Sequence, residues 1–260
     1  MEIWQAIVLG AVQGFTEFLP VSSSGHLILL QYFFGLKENL LFYSVMMHVG
    51  TLLPVLIVLR SSVKELFIKP FNKLWCLVLA TLPAGVFGLM LTKLVDLDQI
   101  FSDKVYLLSI TFLLTAILLS ICEKRYKKKN PLLNVGYKSS FIMGLGQAFA
   151  VLPGLSRSGT TLSFGCFSGL EKTQNANFTF LMSIPIILSA VILESAECIK
   201  QGEFANINLV ALAFGVVSSA VTGYLAISFM LRIIKKASYK WFSVYLTLLS
   251  IVTLIGGLIG

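Results

Sequence analysis

Six blocks of this 260-residue chain are each about long enough and apolar enough to cross a bilayer as a helix: 41–59, 74–92, 105–122, 176–193, 209–231 and 241–259. A helix needs about 20 apolar residues to traverse the hydrocarbon core. Composition agrees: 57% of residues are hydrophobic and 12% are charged, against about 25% charged in a soluble domain. The expected fold class is an all-α polytopic membrane protein, a single integral membrane domain over 1–260.

A net charge of +8 raises nucleic acid as a partner, and the placement of the charges argues against it. Arg60, Lys64, Lys69 and Lys73 fall between the first two blocks. Lys124, Arg125, Lys127, Lys128, Lys129 and Lys138 fall after the third, and Arg232, Lys235, Lys236 and Lys240 after the fifth. The intervening connections hold Asp96, Asp98, Asp103 and Glu203. Short basic connections stay cytoplasmic during insertion, so the alternation sets topology. The Lys127–Lys129 run can also touch anionic membrane lipid. Cys76, Cys122, Cys166 and Cys198 are far apart in sequence, show no metal spacing, and read as small buried hydrophobes. The first lysine is Lys37, so a signal peptide's basic start is not expected.

With the basic connections on one side, residues 1–34 and 139–170 must each return to the side they entered. Both stretches carry a breaker, Pro20 in one and Pro153-Gly154 in the other, where a helix is expected to end. Each half is then one re-entrant helical hairpin plus three transmembrane helices, and the halves are oppositely oriented. Repeat 1 covers about 1–122, a cytoplasmic basic loop about 123–138, and repeat 2 about 139–260. Such an inverted-topology repeat places its binding site near the bilayer midplane, where the broken helices meet.

The same polar phrase occupies both breaks. Gln13 lies twelve positions before Gly25, and Gln147 twelve before Gly159, with a proline and paired serines between. Ionisable groups at membrane depth are costly and point to function. Arg157, between Ser156 and Ser158 at a helix start, suits a phosphate or carboxylate, with the helix's free N–H groups helping. The structural alternative is a fixed ion pair with Glu17 across the two hairpins. Glu17 can act as a general base, a metal ligand or a counter-charge. Ser22, Ser23 and Ser24 offer hydroxyls to an oxyanion, or cap the helix that follows. Ser23 aligns with Arg157 in the repeat. His26 can serve as acid, base or nucleophile, whereas His48, in an apolar span, reads as structural or supporting. Gln13, Ser22, Ser24, Gly25, Ser156, Ser158, Gly159 and Thr160 complete the candidate substrate contacts. Gln147 and Thr16 read as polar partners in the same region, and Glu194 and Glu197 as interfacial.

Two signatures carry a family resemblance. Glu17-Phe18-Leu19-Pro20-Val21-Ser22-Ser23-Ser24-Gly25-His26 and Pro153-Gly154-Leu155-Ser156-Arg157-Ser158-Gly159 resemble those of the bacterial undecaprenyl-diphosphate phosphatases of the integral-membrane, bacitracin-resistance type. The likeness runs over essentially the whole chain. It implies removal of the terminal phosphate of undecaprenyl diphosphate, which regenerates the carrier for peptidoglycan and other envelope polymers. It also implies a cytoplasmic (inner) membrane location, a site toward the outer face, and functional roles for Glu17, Ser23, His26 and Arg157. A divalent cation, Mg2+ or Ca2+, goes with the family, with Glu17 as its ligand here. Gln13 stands where members carry a second glutamate, which leaves the ligand set open. The type-2 phosphatidic-acid phosphatases share Ser-Gly-His and Ser-Arg pairs, but their later histidine is replaced by the Gly159–Phe164 stretch.

The resulting expectation is phosphoryl transfer, with Arg157 clamping the diphosphate and water, Ser23 or His26 attacking. The alternative is a transporter or flippase for a lipid-linked or small anion, since broken helices and inverted repeats also build carriers. A homodimer and a monomer both stay open.

Overall fold

The computed structural model describes residues 1–36, 41–95, 97–128, 134–201, 207–234 and 238–259. Thirteen helices follow one another among them: α1 Ile3–Phe18, α2 Ser23–Phe33, α3 Leu41–Val58, α4 Arg60–Glu65, α5 Asn72–Leu94, α6 Leu97–Asp103, α7 Leu107–Lys128, α8 Tyr137–Phe149, α9 Arg157–Phe167, α10 Lys172–Leu181, α11 Ser183–Gln201, α12 Leu209–Ile233 and α13 Lys240–Ile259. No strand occurs among the described residues. Five stretches qualify as membrane spans by length and composition: 72–91, 107–127, 172–200, 209–233 and 240–257; the apolar part of α3, Phe42–Val58, is shorter. The chain is an all-α polytopic membrane protein. The expectations for the side chains of Asp96, Asp98, Lys128, Lys129, Glu194, Glu197, Glu203, Lys235 and Lys236 lie outside the described residues.

Both expected breaks are present, and Pro20 explains the first. A proline forces its predecessor out of the helical region, and Leu19 is extended at φ −78° and ψ 145°. The second break holds Gly154 at φ +81°, where a side chain would be strained. A Cβ there would also come within 2.1 Å of Thr111 Oγ1.

Two boundaries differ from expectation. The stretch expected as a loop from residue 123 is helical through Lys128, because Arg125 and Lys127 suit the C-terminal end of a helix and its free carbonyls. The block expected as one span over 176–193 lies within the candidate span 172–200, but a turn at Met182 separates it into α10 and α11. Pro185 has no N–H for the carbonyl of Leu181, so the helix opens at Met182.

Polar and apolar positions are arranged for a lipid surrounding. Trp75, Leu82, Val86 and Met90 on α5 are all more than half exposed, while Thr115, Ser140, Ser163 and Ser219 are fully buried. Small residues let the helices approach closely. α1 runs parallel to α12, with Ser218 Oγ donating to Ile7 O at 2.8 Å. α8 runs parallel to α5, with Tyr137 Oη donating to Asn72 Oδ1 at 3.1 Å near their first turns. Each hairpin's first helix thus lies along a long helix of the other half. The ring of Trp4 meets that of Phe34 at 5.2 Å, so the first hairpin closes on itself at one end of the bundle. The second hairpin returns to the end holding Arg125, which donates to Phe167 O at 2.9 Å.

A Cβ on Gly10 would lie 2.1 Å from Gly215 O, a backbone atom with no freedom to yield. Gly10→Ala is therefore expected to push α1 off α12 and to cost about 1–3 kcal/mol of stability, read as a lower melting temperature in detergent.

Candidate active site

α1 carries Glu17 on its last turn, and the break after it brings Ser23 back to the same place as the first residue of α2. Glu17 is only 6% exposed, so each of its oxygens needs a donor. Its Oε2 accepts from Gln13 Nε2 at 3.0 Å and from Ser23 Oγ at 2.8 Å. Its Oε1 is paired with Arg157 Nη2. His48 Nε2, from α3, lies 3.6 Å from Oε2. Arg157 is the first residue of α9, and its Nη1 also donates to Thr179 O on α10 at 3.5 Å. Three candidate residues from two hairpins, Gln13, Ser23 and Arg157, and His48 from α3 therefore converge on one buried carboxylate. The ion pair weighed above as the structural alternative for Arg157 is present.

The remaining serines shape the junction. Ser22 and Ser156 cap α2 and α9, accepting from the N–H groups of Gly25 at 3.3 Å and Gly159 at 3.0 Å. Ser24 Oγ accepts from Gly154 N at 3.3 Å, and Ser158 Oγ donates to Leu19 O at 3.0 Å. Each hairpin's break is thus bonded to the other's, and the N-termini of α2 and α9 open on the same region. Gly25 lies flat against the ring of Phe112, where a Cβ would be 2.6 Å away. Thr160 is fully buried and donates to Ser156 O at 2.7 Å within its own helix.

His26 stands apart from the carboxylate. Its Nδ1 bonds Ser22 O at 2.7 Å and its Nε2 bonds Tyr245 Oη at 2.7 Å. The imidazole at Glu17 is that of His48, whose Nδ1 bonds Ser44 O at 2.8 Å. A bare histidine in an apolar span was the signal that could have promoted His48 to a site residue. Tyr245, 219 positions from His26, gave no local signal. Tyrosines are common near the ends of spans whatever their role.

Among the described residues no three His, Cys, Asp or Glu side chains converge as a metal site. One observation nonetheless suits a hard cation. Gln13 Oε1 is buried without a hydrogen-bond partner, on the side chain that donates to Glu17. A carboxylate and an amide oxygen are ligands that Mg2+ and Ca2+ accept, with substrate oxygens filling the rest of the shell.

A family model described as bacitracin resistance protein BacA matches residues 6–252. The chain belongs to this family. An undecaprenyl-diphosphatase of Carboxydothermus hydrogenoformans is 37% identical to it, covering 98% of this chain and 97% of the relative. One from Methanobrevibacter smithii is 36% identical over 99% of both. An undecaprenyl-diphosphatase 4 of Bacillus thuringiensis subsp. konkukian is 38% identical over 96% of this chain and 95% of its own length. The BacA match takes in both breaks, so the Glu17–Arg157 junction lies inside it.

Proposed function

We propose that this BacA-family chain hydrolyses undecaprenyl diphosphate to undecaprenyl phosphate and inorganic phosphate, recycling the lipid carrier for peptidoglycan and other envelope polymers. The observation that carries the reading is the buried relay Ser23–Glu17–Arg157, formed where two helix N-termini meet. An arriving diphosphate competes for the guanidinium of Arg157, whose planar fork matches phosphate oxygens. Turning Arg157 from Glu17 to the phosphate frees the carboxylate to accept the Ser23 proton. Ser23 Oγ then bonds to the terminal phosphorus as the bond to the bridging oxygen breaks, and undecaprenyl phosphate leaves. Water attacks the phosphoserine, Ser23 Oγ recovers the proton from Glu17, and phosphate departs. Arg157 and the free N–H groups of α9 balance the charge in both transfers. A divalent cation held by Glu17, Gln13 Oε1 and the diphosphate would neutralise substrate charge.

Orientation follows from the same physics. The basic helix ends, carrying Arg125, Lys127 and Lys138, are read as cytoplasmic by the positive-inside rule. The hairpin bearing Glu17 opens at the opposite end, which favours a site reached from the outer face of the bacterial cytoplasmic membrane. The parallel pairings α1 with α12 and α8 with α5 support an inverted-topology repeat.

Phosphate release from undecaprenyl diphosphate by purified protein in detergent tests the reading. Ser23→Ala should slow release by about 10²- to 10⁴-fold, and a phosphoserine should be trapped from labelled substrate in wild type. A Ser23→Ala variant with the wild-type rate would transfer the attack to water. No release by folded wild-type protein that still binds the lipid would favour a carrier instead.

A further inference from the structure

We propose that Tyr245 on α13 is a positioning residue of the reaction, acting through His26 on α2. The inference rests on the phosphatase reading and on His26, which has no step in the transfers above, meeting the substrate's phosphate beside Ser23. Ser22 O can only accept, so His26 Nδ1 carries a proton and donates to it at 2.7 Å. In the neutral imidazole this leaves a lone pair on Nε2, and Tyr245 Oη lies 2.7 Å away to donate to it. The phenol and imidazole rings are nearly parallel, 13° apart with centroids at 5.8 Å. Phe112 meets the imidazole edge-on, also at 5.8 Å. One tautomer and one ring orientation are thus fixed, with Nε2 facing the Tyr245 hydroxyl.

The surroundings give this bond a further meaning. In the second hairpin, α9 packs along α7, with Ser156 N donating to Thr115 Oγ1 at 3.1 Å and Cys166 Sγ to Cys122 O at 3.5 Å. The corresponding partners of the first hairpin are α2 and α13, which the His26–Tyr245 pair joins. Tyr245 is 45% exposed on α13, yet its hydroxyl turns inward to His26. The bond therefore joins α13 to the hairpin that carries Glu17 and Ser23. A lipid diphosphate reaching this face would place a phosphate oxygen where the Tyr245 hydroxyl lies, accepting from Nε2–H once the imidazole is protonated on both nitrogens.

The test combines kinetics with histidine NMR. The chain has only two histidines, His26 and His48, so ¹⁵N-histidine labelling gives two imidazoles and His48→Gln assigns them. In Tyr245→Phe the His26 Nε2 resonance should shift while that of His48 stays. The same variant should lower kcat about three- to tenfold, the size expected for one lost hydrogen bond, with KM within about twofold. In a His26→Ala background Tyr245→Phe should cost nothing further. Equal losses in both backgrounds, a rise in KM at unchanged kcat, or an unmoved His26 resonance would each overturn the proposal. Full activity of His26→Ala would remove its premise while leaving the phosphatase reading intact. Absence of phosphate release from wild type would defeat that reading, with the NMR shift still reporting whether the bond exists.

Discussion

Arg157→Ala is expected to reduce phosphate release from undecaprenyl diphosphate by about 10³-fold or more, and to destabilise the protein as well. The catalytic loss follows from removing the cation that meets the transferred phosphoryl group, for which arginines are worth about 10³- to 10⁵-fold. The stability loss has a separate origin. Glu17 is buried, and without Arg157 its described partners are the neutral donors Gln13 and Ser23 and the imidazole of His48. Breaking a buried pair by deleting one partner costs about 3–5 kcal/mol, because the other charge is left uncompensated. Glu17→Gln should be destabilising for the reciprocal reason. The double variant Glu17→Gln/Arg157→Met removes both charges and should recover most of the melting temperature while remaining inactive. Arg157→Lys keeps the charge but lacks the fork that reaches both Glu17 and Thr179 O, so it should fold and recover little activity. Melting in detergent beside phosphate release separates the two effects. A stable, active Arg157→Ala would remove the pair from both fold and mechanism.

Much of this arrangement was legible in the residues because membranes make polar groups expensive. Pro20 and Pro153-Gly154 mark the helix ends, and the repeated phrase around them marks the junction. The ion pair of Glu17 and Arg157 could be anticipated because a buried carboxylate and a buried guanidinium leave each other few alternatives. What the residues did not reveal depends on rotation about helix axes and on packing at long range. The Ser22-Ser23-Ser24 run reads as three similar hydroxyls. In the fold, Ser22 caps α2, Ser23 meets Glu17 and Ser24 accepts from Gly154. His26 and His48 exchanged expected surroundings for the same reason. His26 lies on the face of α2 turned to α13, while α3 presents His48 to Glu17. The α10–α11 break was readable from Pro185, but the apolar run through it hid the signal.

Gln13→Glu is expected to make the protein depend on a divalent cation for its stability. Gln13 Nε2 now donates to Glu17 Oε2 at 3.0 Å. The substitution replaces that donor with a carboxylate oxygen of similar shape, so an attractive contact becomes one between two acidic groups in a buried place. Two carboxylates this close cannot both stay ionised without a proton or a cation between them. In EDTA the variant should melt below wild type, with a loss of about 1–3 kcal/mol for the broken buried bond. Adding Mg2+ or Ca2+ should reverse the order, since a cation bound only by the folded state contributes about 2.7 kcal/mol at a hundredfold excess over its Kd. Wild type, with one carboxylate and the neutral Gln13 Oε1, should respond to the same cations less. Melting temperature against cation concentration reads this without any substrate, and phosphate release in EDTA then reports whether catalysis follows. A Gln13→Glu protein as stable as wild type in EDTA, and indifferent to Ca2+, would show that position 13 and Glu17 do not share a cation. Catalysis would then rest on Arg157 and the helix N-termini to balance the phosphate charge.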